Sequence, residues 1–135
     1  MFLMTNGTAL SNQFDNNGFY CTKKWWKLTP DNFGSFINGT WSPIADSLNT
    51  RTFFSSAVLK DGRFLVIGGE YSDAGGDSNK VEIYDPVSNT WTAITPPFRM
   101  DQRWRWRLFF IARWKILLGY YNGTKTAIYD PVTKI

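Results

Sequence analysis

Between Phe53 and Ile94 short apolar runs alternate with clusters of turn-forming residues. Phe53 to Leu59 is apolar and β-prone, and Lys60-Asp61-Gly62-Arg63 follows it as an Asp-Gly hairpin turn. Phe64 to Ile67 is an unbroken apolar run, the pattern of a strand buried on both faces, and Gly68-Gly69 closes it. Tyr71 to Asn79 is polar and Gly-rich and reads as a loop. Lys80 to Tyr84 alternates with the two-residue period of a third strand. Asp85-Pro86-Val87-Ser88-Asn89 is a turn in which the proline ring sets one φ, and Thr90 to Ile94 is a fourth strand.

The chain also repeats itself. Ile83-Tyr84-Asp85-Pro86-Val87-Ser88 recurs as Ile128-Tyr129-Asp130-Pro131-Val132-Thr133, at an offset of 45 residues. Trp26, Trp41 and Trp91 each open a similar short pattern, and Thr5-Asn6-Gly7-Thr8 echoes Tyr121-Asn122-Gly123-Thr124. Four antiparallel strands within a repeat of this length describe one blade of a β-propeller.

Gly68-Gly69, followed by Tyr84 and then by Trp91 after six intervening residues, resembles the kelch motif. The wider wording from Trp26 to Pro97, and again from Lys115 to Ile135, is similar to kelch-repeat and galactose-oxidase-like proteins. The resemblance implies an all-β fold, an incomplete kelch-type propeller of four-stranded antiparallel blades. It implies structural roles for Gly68, Gly69, Tyr84, Trp91 and Tyr129: the glycines let strands crowd together, and the rings pack between blades. Trp41 and Phe64 are expected in that core as well. The chain divides on this reading into residues 1–41, a partial first blade with an irregular 12–24 stretch and a Trp-bearing hairpin. Residues 42–97 make a complete blade, and 98–135 a truncated one. Residue 1 falls near the second strand of a blade, and residue 135 stops one short of the Trp expected after Tyr129. The chain therefore reads as about two and a half blades of a longer propeller.

Composition changes this picture at one place. The net charge is +4, and Arg99, Arg103, Arg105, Arg107, Arg113 and Lys115 face only Asp101 in their stretch. The remaining nine basic and ten acidic residues nearly cancel. Residues 99–114 fit no blade pattern. One explanation is a shift of reading frame, since codons can be chosen for which a one-base slip restores an Asp-Gly turn directly before Lys115. The other is a cationic, aromatic element able to stack on nucleic acid or lie on an anionic membrane. The 12–24 stretch departs from the blade pattern in the same way. Neither a secretion signal nor an 18-residue apolar span is present in the sequence given.

Candidate chemistry is sparse. There is no His, and the one Cys, Cys21, permits no internal disulfide. Triads that depend on His and His-ligated zinc or copper are excluded within this chain. The copper-radical oxidases of the galactose-oxidase family use two Tyr, two His and a Cys cross-linked to a Tyr, so none of those roles carries over, and the alternative the resemblance implies is a segment of a carbohydrate or alcohol oxidase of that kind whose copper site is absent here. No catalytic, metal or cofactor residue is assigned. Gly68-Gly69 is not followed by the helix a phosphate cradle needs. Glu70, Asp73 and Asp77 share a loop, but their spacing matches no calcium loop. The sequons at Asn6, Asn38 and Asn122 read as Asn-Gly turns. What remains is a non-catalytic binding or scaffold module, with Tyr71, Asp73, Asp77 and Asn79, and also Asp46 and Asn49, as candidate loop contacts. Its partner is an unknown protein or glycan, with nucleic acid or membrane the weaker reading.

Overall fold

The computed structural model describes residues 1–73, 75–95, 106–110, 115–120 and 126–130. These form eleven strands in three antiparallel sheets. The first sheet pairs β1 (Phe2–Leu3), β2 (Ala9–Phe14), β3 (Cys21–Thr29) and β4 (Thr40–Ile44) in chain order. The second pairs β5 (Ser55–Val58), β6 (Phe64–Ile67), β7 (Val81–Asp85) and β8 (Thr90–Ile94). In the third, β10 (Ile116–Tyr120) lies between β9 (Trp106–Phe110) and β11 (Thr126–Tyr129). Among the described residues no helix is long and apolar enough to cross a membrane.

The strands of the second sheet fall where the apolar runs predict. Its first hairpin shows why the turn residues matter. Leu59 N–H donates to Arg63 O at 2.7 Å, and Gly62 N–H returns to Leu59 O at 3.0 Å, with Gly62 at a φ of +87°. The first sheet uses the same device. Met4 N–H donates to Thr8 O at 2.8 Å, and Gly7, at φ +79°, bonds Met4 O at 3.1 Å. Asn6 thus sits in a hairpin turn, as its Asn-Gly pair predicts. Gly39 N–H closes a turn on Phe36 O at 3.2 Å beside Asn38, and Asn122 lies outside the described residues.

The structure adds detail to three of these readings. Phe2–Leu3 already pairs with Leu10 and Ala9, so the first sheet has four strands and the boundary drawn at 41 falls inside β4. The irregular 12–24 stretch is a hairpin whose register shifts between Asn12 and Phe14. Asn12 Nδ2 donates to Thr22 O and Lys24 O, at 3.0 and 2.9 Å, and so satisfies carbonyls that the bulge takes out of the ladder. Of the stretch said to fit no blade, Trp106–Phe110 pairs with Ile116–Tyr120 as an ordinary strand. Residues 99–105 and 111–114 lie outside the described residues.

Two apolar clusters hold the sheets face to face. One joins Met4, Leu10 and Trp25 of the first sheet to Phe64, Val66, Tyr84 and Trp91 of the second. The other joins Leu65, Ile67, Val81 and Ile83 of the second sheet to Ile116, Leu118 and Tyr129 of the third. β6 contributes alternate side chains to both clusters, which is why its run is apolar without interruption.

Candidate binding face

Gly69 is required by a close approach rather than by a ligand. It sits at φ +104°, and a Cβ there would lie 2.7 Å from Thr52 O and 3.1 Å from Arg51 Cβ. Only a residue without a side chain lets the segment between the first two sheets pass so near. Thr52 and Glu70 then exchange backbone hydrogen bonds, each 2.7 Å. Gly68, at φ +65°, donates to Lys80 O at 3.0 Å.

The rings assigned to the core divide. Phe64, Tyr84 and Tyr129 are buried, and Trp91 is 8% exposed. The Tyr84 hydroxyl donates to Asn89 Oδ1 at 2.9 Å, and burial pushes its ionisation above the ordinary phenol range. Trp91 stacks near Trp25 across the sheet junction, ring centroids 5.1 Å apart, and its Nε1 donates to Ala45 O at 2.9 Å. Trp41 corrects its expectation: it is 45% exposed, because no sheet among the described residues covers its side of the first sheet.

Beneath the connecting segment lies a buried ion pair. Arg51 and Glu82 are both nearly inaccessible, and the guanidinium meets Glu82 Oε1 directly. Glu82 also accepts from Leu48 N at 2.8 Å and from Asn49 Nδ2 at 2.8 Å, while Arg51 Nη1 donates to Lys80 O at 2.7 Å. Burial lowers the Arg51 pKa, and the Glu82 charge opposes that shift. The pair fastens the 45–54 connection to β7.

Above it, loops from both sheets converge at one end. The connection after β2 brings Phe19 and Tyr20, the inter-sheet segment brings Phe53, and the loop after β6 brings Tyr71. All four rings are exposed. Tyr20 and Tyr71 lie 4.9 Å apart and Phe53 and Tyr71 6.2 Å, centroid to centroid. Phe53 and Tyr71 both hold left-handed backbone, φ +53° and +52°, a conformation that costs a bulky residue about 1 kcal/mol or more.

Of the loop residues picked from the sequence, Tyr71 is in this cluster. Asp73 lies at its base, accepting from Thr50 N and Oγ1 at 3.1 and 2.9 Å and pairing with Lys23 at 3.4 Å. Asp46 pairs with Lys24 at 2.7 Å. Asn49 and Asn79 line a separate shallow groove with Lys80 and Ile94. Asp77 is half-buried in the loop after β6. Among the described residues no three His, Cys, Asp or Glu side chains gather as a metal site, so Glu70, Asp73 and Asp77 do not form one. Of the cationic residues, Arg99, Arg103, Arg105 and Arg113 lie outside the described residues.

Cys21 sits under the same loops, buried, with its backbone N–H on Thr52 Oγ1 at 3.1 Å. Burial raises its thiol pKa, so the reactive thiolate is scarce at neutral pH. A disulfide-exchange reagent at pH 8 is expected to label Cys21 at least ~10-fold more slowly in the native chain than in urea, and the rate should climb with pH through the raised pKa. Equal rates in both states would contradict the placement.

The comparisons agree with this geometry. Residues 51–97 match the family model of the kelch motif. Among curated proteins, the F-box/kelch-repeat protein SKIP30 of Arabidopsis thaliana is 30% identical over 80 residues, 59% of this chain and 20% of its own length. The galactose oxidase of Gibberella zeae is 40% identical over 55 residues, 41% of this chain and 8% of its own. The chain thus spans a fifth or less of these two relatives. Among solved structures, a copper-bound fungal alcohol oxidase of the AA5 family superposes with a TM-score of 0.65 at 21% identity, over 84% of this chain and 24% of that one. The structure of YjhT does so with 0.58 at 22%, over 84% and 31%. Residues 51–97 therefore carry a kelch motif, and the described residues form an all-β array of antiparallel sheets with the fold of propeller blades.

Proposed function

We propose that this chain is a non-catalytic binding module that holds a protein or glycan partner on the loop face formed by Phe19, Tyr20, Phe53 and Tyr71. The observation that carries the reading is four exposed rings, contributed by two adjacent sheets and touching in sequence around Tyr71. Water-exposed aromatic clusters are what recognition surfaces spend conformational strain on. Asp73 and Lys23 at the edge supply polar groups that orient a ligand. The relatives include oxidases, but the residues their resemblance would call for are not available in a chain without His.

The test is a screen of the immobilised chain against a glycan array and a peptide library. The selected ligand should lose at least ~10-fold in affinity with Tyr20→Ala and with Tyr71→Ala. Phe33→Ala, at a fully exposed site in the β3–β4 loop at the other end of the sheet, should leave binding unchanged. A ligand that senses Phe33 and ignores both tyrosines, or no retained ligand in either library, overturns the reading.

A further inference from the structure

The junction between the first two sheets encloses a polar cavity of about 10 Å³. Asn12 and Trp25 of the first sheet, Ser47 and Arg51 of the connection, and Val66 and Glu82 of the second sheet line it. Trp25 is 3% exposed, yet its Nε1 has no hydrogen-bond partner among the described residues. Its ring neighbours, Phe2, Phe54, Phe64 and Trp91, are all aromatic, so the polar groups it borders are those of the cavity. A buried N–H left without an acceptor is costly, and native proteins rarely carry one.

The other polar groups of the lining include acceptors with capacity to spare. Both Asn12 Nδ2 protons are held by Thr22 O and Lys24 O, which leaves Oδ1 as what Asn12 can offer. Ser47 Oγ donates to Asn49 O at 3.1 Å and keeps its lone pairs. Glu82 has only acceptors, and among the described residues its Oε2 receives one bond, from Leu48 N at 2.8 Å.

We propose that this cavity is a binding site for one water molecule. The water accepts the Trp25 indole proton and shares its own two protons among Asn12 Oδ1, Ser47 Oγ and Glu82 Oε2. Size and chemistry select this occupant. A water needs roughly 10–15 Å³, so one fits and nothing larger does. The occupant must accept from an indole N–H and donate to a carboxylate. A metal cation or ammonium cannot accept, and it would meet the Arg51 guanidinium. A halide cannot donate, and it would lie against the Glu82 carboxylate. Water does both, and it is apolar cavities, not polar ones, that stay dry. Bound there, it ties the bulged hairpin of the first sheet to β7 of the second through hydrogen bonds. This inference does not depend on the loop-face ligand.

Water–protein NOE and ROE spectroscopy on the isotope-labelled chain tests it, with each indole signal assigned through its own backbone. Trp25 Hε1 is expected to show water cross-peaks of opposite sign in the two spectra, the mark of a water held far longer than hydration water. Trp41, 45% exposed, should show only the pattern of transient hydration or proton exchange. Sodium bromide should leave the Trp25 cross-peak unchanged. Magnetic relaxation dispersion of the solvent should count one long-lived water fewer in Trp25→Phe, which lacks the donor. No water cross-peak at Trp25 Hε1, the pattern of Trp41, a cross-peak that bromide removes, or a folded Trp25→Phe chain with as many long-lived waters as wild type each overturns the proposal.

Discussion

Glu82→Ala is expected to destabilise the chain by about 3–5 kcal/mol, because it strands the buried Arg51 guanidinium without its carboxylate. Arg51 would keep Lys80 O at 2.7 Å, but a carbonyl dipole does not replace a full charge in a site closed to bulk water. Leu48 N–H and Asn49 Nδ2 would lose their acceptor at the same time. Arg51→Met should cost a similar amount, because it leaves the buried Glu82 carboxylate without its guanidinium. The double variant Arg51→Met/Glu82→Leu should recover part of the loss, since removing both charges removes the desolvation problem. It should not recover all of it, because the Leu48 and Asn49 donors stay unpaired. Urea unfolding of the four proteins gives the coupling energy. Additive losses would mean that the pair does not act as a unit. Folded domains are held by only about 5–15 kcal/mol in total, so either single change can decide whether the chain folds.

Trp91→Ala should cost about 3–5 kcal/mol through the cavity it opens. Trp91 is within 5.2 Å of Tyr84, 5.1 Å of Trp25 and 6.4 Å of Phe64, ring centre to ring centre, so its removal unpacks both sides of the first junction at once. It also orphans Ala45 O, which accepts its indole N–H at 2.9 Å. Trp91→Phe keeps most of the ring packing and loses that bond, with an expected loss of roughly 1–2 kcal/mol. Denaturant midpoints read by circular dichroism check the order. A Trp91→Phe as damaging as Trp91→Ala would show that the hydrogen bond, not the packing, dominates.

The loop face was less legible than the core. Tyr71 stood out because it opens a Gly-rich loop, but Phe19, Tyr20 and Phe53 did not. Phe53 reads as the first residue of an apolar strand, yet it turns out at positive φ and points to solvent. Its neighbour Thr52 pairs with Glu70 as an isolated bridge, and the continuous ladder of β5 begins only at Ser55. Phe19 and Tyr20 belong to a hairpin loop whose shape depends on the bulge at Asn12, and the alternation of polar and apolar residues carries no sign of a bulge.

What local sequence determined were the strands and turns. An unbroken Phe64–Ile67 run can satisfy its side chains only between two layers, and Gly7 and Gly62 adopt the left-handed backbone that their hairpins need. Tertiary structure decided which faces those strands bury. Glu82 reads as the solvent side of an alternating strand, but Arg51, 31 residues earlier, arrives over it and makes a buried charge tolerable. Thr40-Trp41 and Thr90-Trp91 begin strands with the same local pattern, and one tryptophan is exposed while the other is core. The difference is the presence or absence of a neighbouring sheet. Burial is a property of what packs against a residue, and no stretch of five residues contains that information.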